Sequence, residues 1–155
     1  SVIMIERTFV IIKPDAIQRG IVGEIMNRFE KKGLKMVGVK MMQLKEALLR
    51  EHYAHVAKEP FYEELAGFMQ SSPVVCLCLE GPNAVELVRK ISGTDLFQHG
   101  TIRGEFSTSV QRNVIHSSDT PENAAVEIDR FFTKEEIFDY QQLHHNLIYS
   151  KGDQK

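Results

Sequence analysis

His116 stands in NVIHSSDT (Asn113–Thr120), directly after two β-branched apolar residues and directly before small and acidic polar ones. A histidine in that setting either packs at the end of a buried strand or is placed to do chemistry. An imidazole becomes a base or nucleophile when a carboxylate fixes one ring nitrogen and leaves the other free. Glu127 is the candidate carboxylate: on a helix it lies roughly 40° around from Phe131, at the margin of the apolar face. Ser118 and Asp119 read as the start of the turn into that helix.

Three basic residues accompany the histidine. Lys13 ends an apolar run, and the proline after it holds its backbone extended, so the side chain leaves the sheet edge in a defined direction. Arg103, in GTIRGEF, is flanked by glycines that permit close backbone approach to a ligand. Arg89 borders the apolar stripe of its helix, where a long side chain reaches water. Taken singly, each is equally an ordinary solvated residue. Tyr53 and Phe61 read either as core aromatics or, for Phe61, as an apolar platform at the mouth of a cleft. Together the set points to a phosphate-handling histidine enzyme. The sequence contains no G-x-x-x-x-G-K-[ST], no G-x-G-x-x-G and no H-E-x-x-H.

The elements that must position these groups follow from periodicity. RTFVII (Arg7–Ile12) is a strand that stops in a turn at Lys13-Pro14-Asp15. Val22, Ile25, Met26 and Phe29 recur at helical spacing before Gly33. Leu34–Leu44 suits a second strand. Lys45–Val56 and Tyr62–Met69 read as a helical insert, and Pro73–Leu79 as a third strand. Ala84, Leu87, Val88 and Ile91 give another helical stripe, followed by a long loop from Gly93 to Gly104. VIH is a short fourth strand, and Thr120-Pro121 starts the last helix. Without insert and last helix the order is βαββαβ, which predicts an α+β, ferredoxin-like antiparallel sheet with helices on one face.

At 155 residues the chain is expected to form one domain over 1–155, with tails at 1–6 and 150–155. The balance of 19 basic and 21 acidic residues gives −2, so no global field recruits nucleic acid or an anionic membrane. Cys76 and Cys78 point to one face of an apolar strand, which predicts buried free thiols in a reducing compartment rather than a zinc site. No apolar run has the length of a membrane span, so the expected location is cytoplasmic.

These residues also carry a resemblance. ERTFVIIKPDAIQRGIVGEIMNRFEKKG, EHY, PFYEEL, SSPVVCLCLEGPNAV, GTIRGEF and NVIHSSDT resemble, in order, the landmarks of nucleoside diphosphate kinases, over about Arg7 to Tyr149. The family signature N-x-x-H-x-S-D is met by Asn113, His116, Ser118 and Asp119. The resemblance implies ping-pong phosphoryl transfer from a nucleoside triphosphate, mainly ATP, to nucleoside diphosphates, with phosphohistidine at His116. It implies that Arg89, Thr94 and Arg103 hold phosphates and that Lys13 spans ribose and transferring phosphate beside Tyr53. Asn113 would bind the sugar, Phe61 would stack on the base, and Glu127, supported by Ser118, would orient His116. Mg²⁺ would arrive with the nucleotide, with Asp119 reaching it through water. The implied assembly is a homo-oligomer: a hexamer, or alternatively a tetramer or dimer. The alternatives are a non-catalytic nucleotide-binding regulator and a phosphotransfer partner acting on a protein acceptor. Two departures stand out. Ser117 replaces the family's usual glycine, where a Cβ could narrow the pocket or forbid a backbone angle. The Gly93–Gly100 loop is shorter than the family pattern and lacks its Thr-Asn-Pro.

Overall fold

A computed structural model describes residues 4–143 together with Ser150 and Gly152. Most of the tail expected over 150–155 therefore lies outside the described residues. The strands are β1 (Ile5–Ile12), β2 (Lys35–Met42), β3 (Val74–Pro82) and β4 (Ile115–Ser117). They form one sheet in the order β2-β3-β1-β4, with every pairing antiparallel. That is the strand order of a ferredoxin-like sheet, as the βαββαβ pattern predicts. Ile5 and Glu6 pair with Pro82 and Gly81, so they belong to the sheet and not to the tail expected at 1–6.

The helices are α1 (Pro14–Arg19), α2 (Val22–Lys31), α3 (Glu46–His52), α4 (Tyr62–Gln70), α5 (Ala84–Ser92), α6 (Ile102–Phe106) and α7 (Pro121–Phe131). Strand alternation divides the core in two. Val10 and Ile12 of β1 face Ile25 and Phe29 of α2 and Val88 of α5. Phe9 and Ile11 face the other way, onto Leu49 of α3, Tyr62 and Met69 of α4, and Phe131 of α7. The crossover helices α2 and α5 thus share one face, and the insert with α7 covers the other. Each fully buried Ile, Leu or Phe contributes roughly 1.5–3 kcal/mol, enough for these apolar faces to fix how the helices dock. Cys76 and Cys78 are free and fully buried on the second face, where burial pushes both thiols up to about 12.

Two helices occur where the sequence reads as turn and loop. α1 follows β1 directly, with Pro14 in its first turn and Gly20 ending it in the left-handed region (φ 68°). Proline is tolerated there because the missing N–H has no helical partner in any case. α6 is capped by Thr101, whose hydroxyl accepts from the Gly104 N–H. A Cβ on Gly104 would sit 1.9 Å from the Gln98 carbonyl oxygen, so this glycine permits loop packing rather than approach to a ligand.

Candidate active site

The junction of β1 and β4 builds the centre of the site. Val114 has φ 62°, in the left-handed region that a β-branched residue rarely adopts. Three bonds hold it there: Ile115 N–H to Asn113 O at 2.7 Å, Val114 N–H to Asp15 Oδ2 at 3.1 Å, and Lys13 N–H to Val114 O at 2.9 Å. Such a conformation costs of order 1–3 kcal/mol and persists only where its surroundings over-determine it. It also moves the start of the fourth strand to Ile115, one residue later than VIH predicts. The turn brings Asn113 Oδ1 to 2.7 Å from Lys13 Nζ. Burial, and then the Arg103 charge, lower Lys13 to about 8, with Asp15 opposing them.

His116 pairs with Ile11 across β1 and β4, so its ring projects to the face covered by α7. Its Nε2 lies 2.8 Å from Glu127 Oε2, and the Ser118 hydroxyl donates to Glu127 Oε1. Burial raises the carboxyl's proton affinity, but these bonds and the imidazole charge outweigh it and hold Glu127 below the usual carboxylate range. With Nε2 engaged, Nδ1 is the His116 ring nitrogen without a protein partner among the described residues.

His116 lines a cavity of about 560 Å³ with Arg89, Arg103, Tyr53, Asp119 and Glu127. Arg103 is fastened by donating from Nη1 to Gly93 O at 2.9 Å and from Nη2 to Ile115 O at 2.7 Å. Arg89 Nη1 donates to Ser117 O at 3.4 Å. Tyr53 is partly buried, and this desolvation, with the Glu127 charge, pushes its hydroxyl up to about 12. Ser117 lies in β4, outside the left-handed region, so its Cβ imposes no forbidden backbone angle. The facing atoms of His52, His116 and Glu127 lie within 4.8 Å of one another and are engaged by protein partners.

A second cleft of about 380 Å³ joins Lys13 and Asn113 to Phe61, Phe68, Val110 and Arg112. Phe61 and Val110 are exposed there, whereas the Arg112 guanidinium stacks 4.0 Å over the Phe68 ring. Thr94 is not brought to His116. It lines an adjoining cavity with Arg89, Gly93 and Asp119, and its N–H and hydroxyl both donate to Gln98 Oε1, at 2.9 and 3.0 Å.

Sequence reasoning missed Val110, His52 and Arg130. Val110 has no periodic neighbour to mark it. His52 follows Leu49 by three residues and shares its buried face, and Arg130 follows Glu127 by the same interval. Helical spacing held the signal for both.

The profile of the family described as Nucleoside diphosphate kinase matches residues 6–137. A nucleoside diphosphate kinase of Parabacteroides distasonis is 48% identical over 96% of this chain and 99% of its own. The structure of a halophilic nucleoside diphosphate kinase from Halobacterium salinarum, in complex with CDP, superposes with a TM-score of 0.90 at 40% identity, covering 94% of this chain and 99% of its own. That of the Aquifex aeolicus nucleoside diphosphate kinase gives 0.83 at 38% identity, over 87% of this chain and 100% of its own. Family profile, relatives and fold agree over nearly the whole chain: it belongs to the nucleoside diphosphate kinase family.

Proposed function

We propose that this family member moves the γ-phosphoryl group of a nucleoside triphosphate, mainly ATP, onto nucleoside diphosphates through phosphohistidine at His116. The observation that carries the assignment is the 2.8 Å contact between His116 Nε2 and Glu127, which reserves Nδ1 as nucleophile. Phosphoryl transfer needs an in-line nucleophile and fixed positive charge around the equatorial oxygens. Arg89 and Arg103 supply that charge in the same cavity, and Lys13 lines the second cleft. In that cleft the nucleoside rests on Phe61 with Val110 opposite, and Asn113 and Lys13 take the sugar. Stacking tolerates any base, since each has a π-face, and this accounts for broad base and sugar acceptance. Thr94 contacts phosphate only if it releases Gln98, so it is the weakest member of the phosphate set.

The nucleotide would carry Mg²⁺ on its phosphates, and the ion would supply neutralising charge there. Glu127 is committed to His116 and Ser118, whereas Asp119 is exposed on the cavity wall and is suited to a water-mediated contact with the ion. The chain acts as one catalytic domain, and its unpaired buried thiols favour a reducing, cytoplasmic setting. Among the described residues no helix is long and apolar enough to cross a membrane. Exposed Val39 and Met41 on the sheet's outer strand β2 favour a homo-oligomer over a monomer.

Incubation with Mg²⁺ and γ-labelled ATP tests the mechanism. The expected product is an acid-labile, base-stable phosphoprotein that loses its label to added GDP. Absence of label, or label persisting in His116→Ala, overturns it.

A further inference from the structure

The His116–Glu127 pair is not isolated. His52, at the end of α3, places Nδ1 3.5 Å from Glu127 Oε2, the same oxygen that receives His116. The two imidazoles stand nearly perpendicular, 4.9 Å apart. Were His52 Nδ1 protonated, it would compete with His116 for that oxygen. One turn along α7 from Glu127, Arg130 places Nη1 3.0 Å from His52 Nδ1. A guanidinium only donates, so a bond between these atoms requires Nδ1 to accept and the His52 proton to sit on Nε2. The 3.0 Å contact to Arg130 therefore defines the state of His52, and the 3.5 Å approach to Glu127 is not a hydrogen bond. Glu51 Oε1 lies 3.5 Å from Arg130 Nε and helps to hold the guanidinium in place.

We propose that Arg130 is a positioning residue for phosphotransfer: it locks His52 as the neutral Nε2–H tautomer and so reserves Glu127 Oε2 for His116. The consequence for the reaction rests on the phosphohistidine reading of His116, but the state of His52 does not. Every element packed around His52 bears on its charge. Burial dominates; the His116, Arg130 and His55 charges act in the same direction, and Glu127 opposes them. Tyr53 and Phe131 close the ring edge-on. The sum lowers His52 to about 3, so it stays neutral throughout the working pH range.

Without Arg130, two changes open. His52 can shift its proton to Nδ1 and donate to Glu127, or it can take up a second proton at a higher pH than in wild type. Either change divides the carboxylate between two imidazoles and weakens its hold on His116 Nε2. The His116 tautomer with Nδ1 free is then less populated, which slows the chemical step and leaves nucleotide binding alone.

The test combines ¹⁵N NMR of the histidine rings with single-turnover phosphorylation by MgATP, in wild type, Arg130→Met and Arg130→Lys. His52 is assigned by its loss in His52→Gln. In wild type, His52 Nδ1 should be unprotonated and should not titrate between pH 8 and pH 5. In Arg130→Met, the His52 proton should appear on Nδ1, or its titration, followed down to pH 3, should move up from the wild-type position. Phosphorylation at saturating ATP should slow about tenfold, with KM within about twofold. Arg130→Lys keeps a donor and should recover most of the rate and the wild-type tautomer. A protonated Nδ1 in wild type overturns the proposal, even if Arg130→Met does not fold. So does an Arg130→Met protein with an unchanged His52, or with an altered His52 and an unchanged rate. If wild type forms no phosphohistidine at all, the proposed function fails, while the His52 tautomer still decides the Arg130 contact.

Discussion

His116 Nε2 and Glu127 Oε2 meet at 2.8 Å across the β4–α7 junction, and the second Glu127 oxygen accepts from Ser118. One carboxylate therefore orients the imidazole while its own rotamer is held from the opposite side. Replacement by glutamine keeps the shape but allows an N–H to face the imidazole, which frees the ring. Glu127→Gln should slow His116 phosphorylation by roughly 10- to 100-fold in rapid-quench labelling.

The same carboxylate makes stability depend on pH. Its proton affinity is depressed in the folded state, so its contribution is fully present above the ordinary glutamate range and is lost as pH falls through the lower folded value. Urea unfolding should find wild type more stable than Glu127→Gln at pH 7, with the gap narrowing toward pH 3. A gap that widens in acid would contradict the pairing.

Lys13 follows the same sign in a higher pH window. Its folded value of about 8 lies below the ordinary 10.5, so the unfolded chain binds more protons between them and stability from this group rises across that window. The phosphate-binding charge disappears over the same interval. Affinity for ADP, measured by calorimetry, should fall as pH rises from 8 to 10. In Lys13→Met it should be weaker by about 10- to 100-fold at pH 7 and nearly flat.

Asp15 couples the strained turn to that lysine. It receives the Val114 N–H and raises the Lys13 proton affinity. Asp15→Ala should destabilise the protein by about 1–3 kcal/mol, because a turn amide loses its partner. It should also shift the decline in ADP affinity to lower pH. Chemical unfolding and the pH series of ADP binding check the two effects separately.

Phe61 and Val110 share the second cleft with Lys13 and Asn113. Removing the stacking ring in Phe61→Ala should cost about 1–3 kcal/mol of nucleotide affinity, by a similar factor for purine and pyrimidine diphosphates. Steady-state kinetics should place the loss in KM with kcat retained.

Much of this protein is determined locally. β-branched runs mark the strands, apolar spacing marks α2, α5 and α7, and Thr120-Pro121 marks where α7 begins. The βαββαβ order then leaves few ways to close the sheet. Even the His116–Glu127 pairing is legible, because the position of Glu127 on its helix face depends on spacing alone. Tertiary structure decides what spacing cannot. Val114 takes a left-handed backbone because Asp15, ninety-nine positions away, receives its N–H. Ser117 meets no forbidden backbone angle because the chain is extended there. Thr94 turns from His116 because Gln98 engages both its donors. Spacing places His52 on the buried face of α3 and Arg130 one turn from Glu127, but only the docking of α3 on α7 confronts the guanidinium with an imidazole nitrogen. Such contacts join residues far apart in the chain, and burial gives them their strength; neither distance nor burial is written in local order.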